Sequence, residues 1–360
     1  MSSTKLFENY FQTKPFITTS AHGRVNLMGE HTDYNNGYVL PALISQSIEV
    51  SIKSRNDDLI IGISSEFGDL KSKINSSKDG TWLDFIKGAL FFIQKISPNI
   101  QGVDVAVHST VPHSSGLSSS AALEIALLRS LTQLHGLSLK PEELAKIGQQ
   151  IEHQFVGTQC GIMDQMVSAC GSSRQAIFLD CERLQTKSLP LFSNHTFIVM
   201  HSGSTRKLSQ GSYNERKEET TLASKTLNVP SLRYASLEQI NLIKDPTIQK
   251  RAKHIISENN RVIQAVSCLE KNDAKKFGEL MYLSHQSMRD DFEISSDELN
   301  RVVESAYNNG ALGARLTGAG FGGCVIVLTE NEKIELMTKS ILNHCHKSSL
   351  ITTISGKLNT

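Results

Sequence analysis

Two hydrophobic periods alternate along the first half of the chain. Over Ser47–Lys53 every second residue is apolar (Ile48, Val50, Ile52), and Val103–His108 repeats the pattern with Val103, Val105 and Val107, so both segments are expected to be strands. Between and after them the spacing becomes helical. Trp82–Ile96 forms one such stretch, and Ala121–Leu134 places Ile125, Leu128, Leu131 and Leu134 on one side, with Gly136 as its stop. Pro141, followed by Glu142 and Glu143, opens a further helix with proline and acids at its positive end. Strands alternating with helices predict an α/β domain. Beyond about residue 190 the texture changes to a short strand (Thr196–Met200), long helical stretches rich in Glu, Lys and Arg through Ala306, a compact β-branched run (Cys324–Leu328) and a last strand (Leu350–Ile354). That order predicts an α+β domain, with domains over 1–188 and 189–360. No linker, charge block or repeat marks the boundary.

A length of 360 residues with 39% hydrophobic and 20% charged positions is that of a folded protein with a full core, divided into two domains or built as one large α/β unit. Lys+Arg 37 against Asp+Glu 36 leaves a formal charge of +1, which excludes a protein whose affinity comes from neutralising many nucleic-acid phosphates. Any anionic ligand must be gripped locally. The longest apolar run, Ala89–Ile93, is far below the roughly 18 residues a membrane span needs, so no membrane partner is expected. Lys5 and Glu8 interrupt the N-terminal apolar positions, and six cysteines lack a C-x-x-C pair. Reduced thiols in a cytoplasm are the expectation.

Three loops could carry chemistry. Gly23–Tyr34 packs Arg24, Asn26, Glu30, His31 and Asp33 around Gly29. The types suit polyol hydroxyls, with Arg24 for a phosphate or acid; a solvated, helix-capping turn and a metal site on His31 and Asp33 are the alternatives. Val111–Ala122 sets Gly116 and a run of serines before a helix, where amide N–H groups can face an anion. It lacks the lysine of a Walker loop, and a plain serine-rich linker is the alternative. Thr317–Val325 matches G-x-G-x-x-G at Gly318, Gly320 and Gly323, but the strand-like run after it is wrong for a dinucleotide site, and too little chain follows for a protein kinase. A close-approach loop or a structural turn remains.

Together the three loops resemble the GHMP family of small-molecule kinases, and within it the galactose-phosphorylating branch. Trp82-x-x-Phe-Ile-Lys-Gly88, Cys160-Gly-Ile-Met-Asp-Gln165, Ser212-Tyr-Asn-x-Arg216 and Ser284-His-x-Ser-Met-Arg-Asp-Asp-Phe-Glu293 extend the resemblance over nearly the whole chain. It implies a two-domain fold with the active site in the cleft between domains, and transfer of the γ-phosphoryl group of ATP to the C1 hydroxyl of α-D-galactose, giving galactose 1-phosphate and ADP. By the same resemblance Asp164 is the catalytic carboxylate and Arg24 the arginine facing it. Glu30, His31, Asp33, Gly161, Asp164 and Tyr213 would contact the sugar. Trp82 and Ser115, Gly116, Leu117, Ser118, Ser119, Ser120 and Ala121 would bind ATP, and Ser120 and Glu152 would hold Mg²⁺. The expected partners are galactose and ATP alone, bound by a monomer. A kinase for N-acetylgalactosamine or arabinose and a non-catalytic galactose sensor are the rival readings. Three positions depart from the family pattern: His22 replaces a usual proline, Thr205 stands where some relatives are basic, with Arg206 and Lys207 following, and Ala319 replaces a usual glycine, a change expected to be neutral.

Overall fold

The computed structural model describes residues 1–113, 115–204 and 209–356; Thr205, Arg206 and Lys207 lie outside them. In chain order the elements are α1 (Ser3–Phe11), β1 (Ile17–Asn26), β2 (Tyr38–Val39), β3 (Pro41–Ser54), β4 (Leu59–Ser64), β5 (Gly68–Lys73), α2 (Leu83–Ile96), β6 (Val103–Ser109), α3 (Ser119–Leu134), α4 (Pro141–Ile151), α5 (Met163–Cys170), β7 (Gln175–Asp180), β8 (Gln185–Pro190), β9 (His195–His201), α6 (Ser209–Thr226), α7 (Pro246–Glu270), α8 (Ala274–Asp290), α9 (Asp297–Asn308), β10 (Gly313–Thr317), β11 (Cys324–Glu330), α10 (Ile334–His344) and β12 (Ser349–Ser355). The expected strands and helices are present. β3 is longer than its alternating part, and Pro41, which has no N–H to donate, is accommodated as its first residue.

The chain forms two compact units. Unit 1 comprises Met1–Gly23, Ser45–Pro112 and Ser118–Cys170. In it β3 pairs antiparallel with β6 from Ile48↔Ser109 to Ser54↔Val103, β6 runs parallel to β4, and β4 pairs antiparallel with β5. Helices α2, α3, α4 and α5 pack on one another. Ile52, Val105, Leu90, Ile125, Leu128 and Leu131 are removed from solvent, so the period-2 and period-3.6 faces seen in the sequence are the faces that build this core.

Unit 2 comprises Arg24–Ile44, His113–Leu117 and Gly171–Thr360. Its antiparallel sheet has the order β10-β11-β9-β12, with Cys324 opposite both Thr317 and His201. β8 pairs with β7, and β7 with β2. One core of Ile198, Met200, Ile255, Phe292, Val302, Leu316 and Val327 joins that sheet to α7, α8 and α9. Among the described residues no helix is long and apolar enough to cross a membrane.

Candidate active site

In unit 2 the first loop leaves β1 and turns at Gly29, whose φ of +103° only glycine adopts without strain; a Cβ there would lie 2.6 Å from the Tyr38 carbonyl oxygen and 2.8 Å from Val262 Cγ2. The turn carries Glu30 inward. Its Oε1 accepts the Gly318 N–H at 2.9 Å, and its Oε2 accepts Asn26 Nδ2 at 3.0 Å and Arg315 Nη2. Burial pushes the Glu30 carboxyl up to about 7, with Glu258 adding to the rise and Arg315 opposing it. His31 Nε2 lies 3.1 Å from the Ala319 carbonyl and Nδ1 2.7 Å from the Tyr34 hydroxyl. A carbonyl can only accept, so neutral His31 carries its proton on Nε2 and Nδ1 accepts from Tyr34. Both ring nitrogens thereby have partners within the protein. The His31 ring stands 5.2 Å from Tyr213 and 4.9 Å from Phe292, and Tyr34 stands 5.4 Å from Tyr213. Asp33 opens the one-turn helix Asp33–Asn35 in the same loop. Glu30, His31, Asp33 and Tyr213 are thus brought into one neighbourhood of unit 2.

The glycine loop after β10 shares that neighbourhood. Thr317 Oγ1 accepts the Asn26 N–H at 2.9 Å, and the Phe321 N–H reaches the Ile294 carbonyl at 2.7 Å. Gly318, Gly320, Phe321, Gly322 and Gly323 have positive φ, whereas Ala319 does not. Ala319 therefore carries no left-handed backbone strain. Also in unit 2, Arg24 is buried, its Nη1 donates to the Gly116 carbonyl at 2.7 Å and its N–H to the Leu117 carbonyl at 3.0 Å. The start of the serine-rich loop, with Ser115 and Leu117 buried, is held by that arginine.

Unit 1 contains the rest. Ser118, with φ of 62°, stands at the N-cap of α3 but caps nothing with its side chain; its hydroxyl donates to Asp164 Oδ2 at 2.5 Å. The first-turn amides of α3, from Ser119 to Ala121, are accordingly not taken by the cap side chain, the arrangement an anion-binding helix start needs. Asp164 is in the first turn of α5, where the helix dipole favours a carboxylate, and Gly161 is buried three residues before it. Glu152 is buried and accepts hydrogen bonds from Ser120 and Thr158; burial and the Asp164 charge still push its carboxyl up. Trp82 is the N-cap of α2 and lies against Gly62, where a Cβ would come within 2.5 Å of Trp82 Cη2; its buried indole Nε1 has no partner among the described residues. His22, the usual proline's replacement, offers its backbone carbonyl to Ser168 Oγ at 2.9 Å, a bond that proline would keep.

Sequence reasoning did not single out Arg315 and Glu258 near Glu30, or Glu124 near Asp164. Glu124 is fully buried in α3; its Oε2 accepts from Gln165 Nε2 at 3.1 Å, and its Oε1 has no partner among the described residues. Burial, with Glu152 and Asp164 nearby, pushes its carboxyl far up. An arginine inside the otherwise apolar strand Gly313–Thr317 was a signal available in the sequence; a glutamate in a polar stretch of α7 was not.

Comparison with known proteins identifies the family. Three family descriptions match in chain order: "Galactokinase galactose-binding signature" over residues 5–54, "GHMP kinases N terminal domain" over 84–172 and "GHMP kinases C terminal" over 265–345. A galactokinase of Glaesserella parasuis is 41% identical, the alignment covering 95% of this chain and 93% of that one. The chain belongs to the galactokinase family. A second member of the galactokinase family, from Pasteurella multocida, is 37% identical over 95% of the chain and 93% of its own length. The structure of Lactococcus lactis galactokinase complexed with galactose superposes with a TM-score of 0.92 at 32% identity, covering 98% of this chain and 97% of that one. Methanococcus jannaschii mevalonate kinase, at 22% identity and a TM-score of 0.68 over 94% and 98% of the two chains, shares the fold. As a galactokinase-family GHMP kinase, the chain is an ATP-dependent sugar kinase.

Proposed function

We propose that the chain transfers the γ-phosphoryl group of ATP to the C1 hydroxyl of α-D-galactose, yielding galactose 1-phosphate and ADP, as a monomer in the cytoplasm. The observation that carries the assignment of roles is the Ser118–Asp164 hydrogen bond at the start of α3, which ties the candidate catalytic carboxylate to the candidate phosphate loop. Phosphoryl transfer proceeds through a loose transition state, so positioning and charge stabilisation are the protein's main contributions. Asp164 orients the C1 hydroxyl and accepts its proton as the new P–O bond forms, with Ser118 fixing one carboxylate oxygen. Arg24 and the first-turn amides of α3 offset charge on the transferred group. Glu30, His31, Asp33, Tyr213 and the Gly161 backbone hold the sugar, and Trp82 with residues 115 to 121 holds ATP.

Magnesium fits the residues present. The Ser120 hydroxyl and the Glu152 carboxylate, hydrogen-bonded to each other, are hard oxygen donors, and burial that disfavours a bare charge on Glu152 favours a cation beside it. Among the described residues no group of three or more His, Cys, Asp and Glu converges. That matches a small cation held by one or two protein oxygens together with substrate phosphates. When bound, Mg²⁺ would neutralise charge on the β- and γ-phosphates.

The test is an ADP-release assay with galactose, N-acetylgalactosamine and arabinose, on the native chain and Asp164→Asn. Galactose should give by far the highest kcat/KM, and Asp164→Asn should lower kcat by about 10²- to 10⁴-fold while ATP still binds. Near-native kcat in the variant would remove Asp164 from its role. A preference for another sugar would move the substrate, and no turnover by the native chain would turn the reading toward a sensor.

A further inference from the structure

Strand β10 and helices α7 and α8 surround Glu30 with groups that the proposed reaction does not use. Arg315 is the third residue of β10, a strand whose five residues are all buried. Its Nη2 donates to Glu30 Oε2, lies 3.4 Å from the Met288 sulphur and stands 3.6 Å from Glu258 Oε1; its Nε and Nη1 have no hydrogen-bond partner among the described residues. Glu258, fully buried, is already engaged: it accepts the Gly29 N–H at 2.9 Å, the Ser284 hydroxyl at 2.7 Å and Arg261 Nε at 2.6 Å.

Packing does not account for an arginine here. A methionine or leucine would fill the same strand position without the loss of guanidinium hydration, which burial makes expensive. The interaction distinctive to Arg315 is with Glu30, whose other oxygen takes the Gly318 N–H and whose neighbour His31 meets the Ala319 carbonyl. Arg315 stands three residues before Gly318 in the chain, so one short segment grips the first loop twice: by its guanidinium and by the backbone of its glycine turn.

We infer that Arg315 is a positioning residue for sugar recognition, which touches no substrate itself and acts by fixing the Glu30 carboxylate, and with it His31, at the place where they meet the sugar. The inference rests on the proposed reading of Glu30 and His31 as sugar contacts.

The test uses the full chain and four variants: Arg315→Met, Arg315→Lys, Glu30→Gln and the double variant Arg315→Met/Glu30→Gln. For each, KM for galactose, KM for ATP, kcat and the melting temperature are measured. Arg315→Met should raise KM for galactose about ten- to hundredfold, the loss of one charged hydrogen bond, with KM for ATP changed less than about twofold. Arg315→Lys, which keeps the charge but not the planar fork, should give an intermediate rise. The double variant should be no worse than the worse single variant, because both changes break the same link. Multiplying effects in the double variant, or a lowered melting temperature with KM for galactose unmoved, overturns the inference. If Arg315→Met does not fold, an unmoved KM for galactose in Arg315→Lys overturns it instead. Failure of the underlying reading has a different signature: Glu30→Gln itself leaves KM for galactose unchanged.

Discussion

Glu30 serves two opposed demands. Burial, with Glu258 adding to it, raises its carboxyl from 4.5 to about 7 against the pull of Arg315, so between those values the folded chain retains a proton that the unfolded chain has released. Its contribution to stability is therefore complete below about 4.5 and is lost as pH rises through about 7. Its pairing with Arg315 runs the other way, since only the ionised carboxylate forms the ion pair. We expect kcat/KM for galactose to fall as pH is lowered through about 7, and the fall to be absent in Glu30→Gln; a pH–rate series on both proteins checks it, and the same limb in both would place the titration elsewhere. At this scale the sequence was informative about residue types and poor about partners. The concentration of Glu30, His31 and Asp33 around Gly29 marked the loop, whereas nothing local reveals that Glu30 is met by an arginine 285 positions away. Ser118 was legible as part of a candidate phosphate loop, but its hydroxyl bond to Asp164, 46 positions on, was not.

Among elements, α3, α4 and α5 enclose the pair Glu124–Gln165. Burial and two neighbouring acids push this carboxyl far up, toward its protonated form, so an amide should replace it at little cost. Glu124→Gln is expected to keep the melting temperature within a degree or two, while Glu124→Ala, which leaves Gln165 Nε2 with only the weak Cys160 sulphur acceptor at 3.9 Å, should cost about 1–3 kcal/mol. Thermal or urea unfolding of the two variants distinguishes this from an ionised Glu124, for which both would be strongly destabilising or both stabilising. The helices here were readable because their periodicity extends over several turns: α2 begins at Leu83 and α3 at Ser119, each within two residues of expectation. The eight-residue α5 and the two-residue β2 are too short to display a period, and β5, Gly68–Lys73, carries mostly exposed polar side chains with no apolar face to alternate.

For the molecule as a whole, contiguity along the chain is a poor guide to what folds together. Unit 2 takes Arg24–Ile44 and His113–Leu117 from the first third of the chain and Gly171–Thr360 from the rest. A fragment of residues 171–360 would bury Arg315 without Glu30 and leave Thr317 without Asn26. We predict that it will not unfold cooperatively when expressed alone, as judged by circular dichroism and calorimetry; a sharp transition near that of the full chain would refute this. The near-balance of 37 basic and 36 acidic side chains fits the proposed reading at the same scale, in which helix-start amides and a few buried ions would do locally what a basic surface does elsewhere. The 285 positions between Glu30 and Arg315 also have a meaning in time. At about 5–20 residues per second, a ribosome needs on the order of 15 to 60 s to carry the chain from one to the other. For most of that interval the first loop is out of the ribosome with its acid solvated and its closing partner unmade, so the proposed sugar-recognition loop is synthesised long before the segment that gives it its working shape.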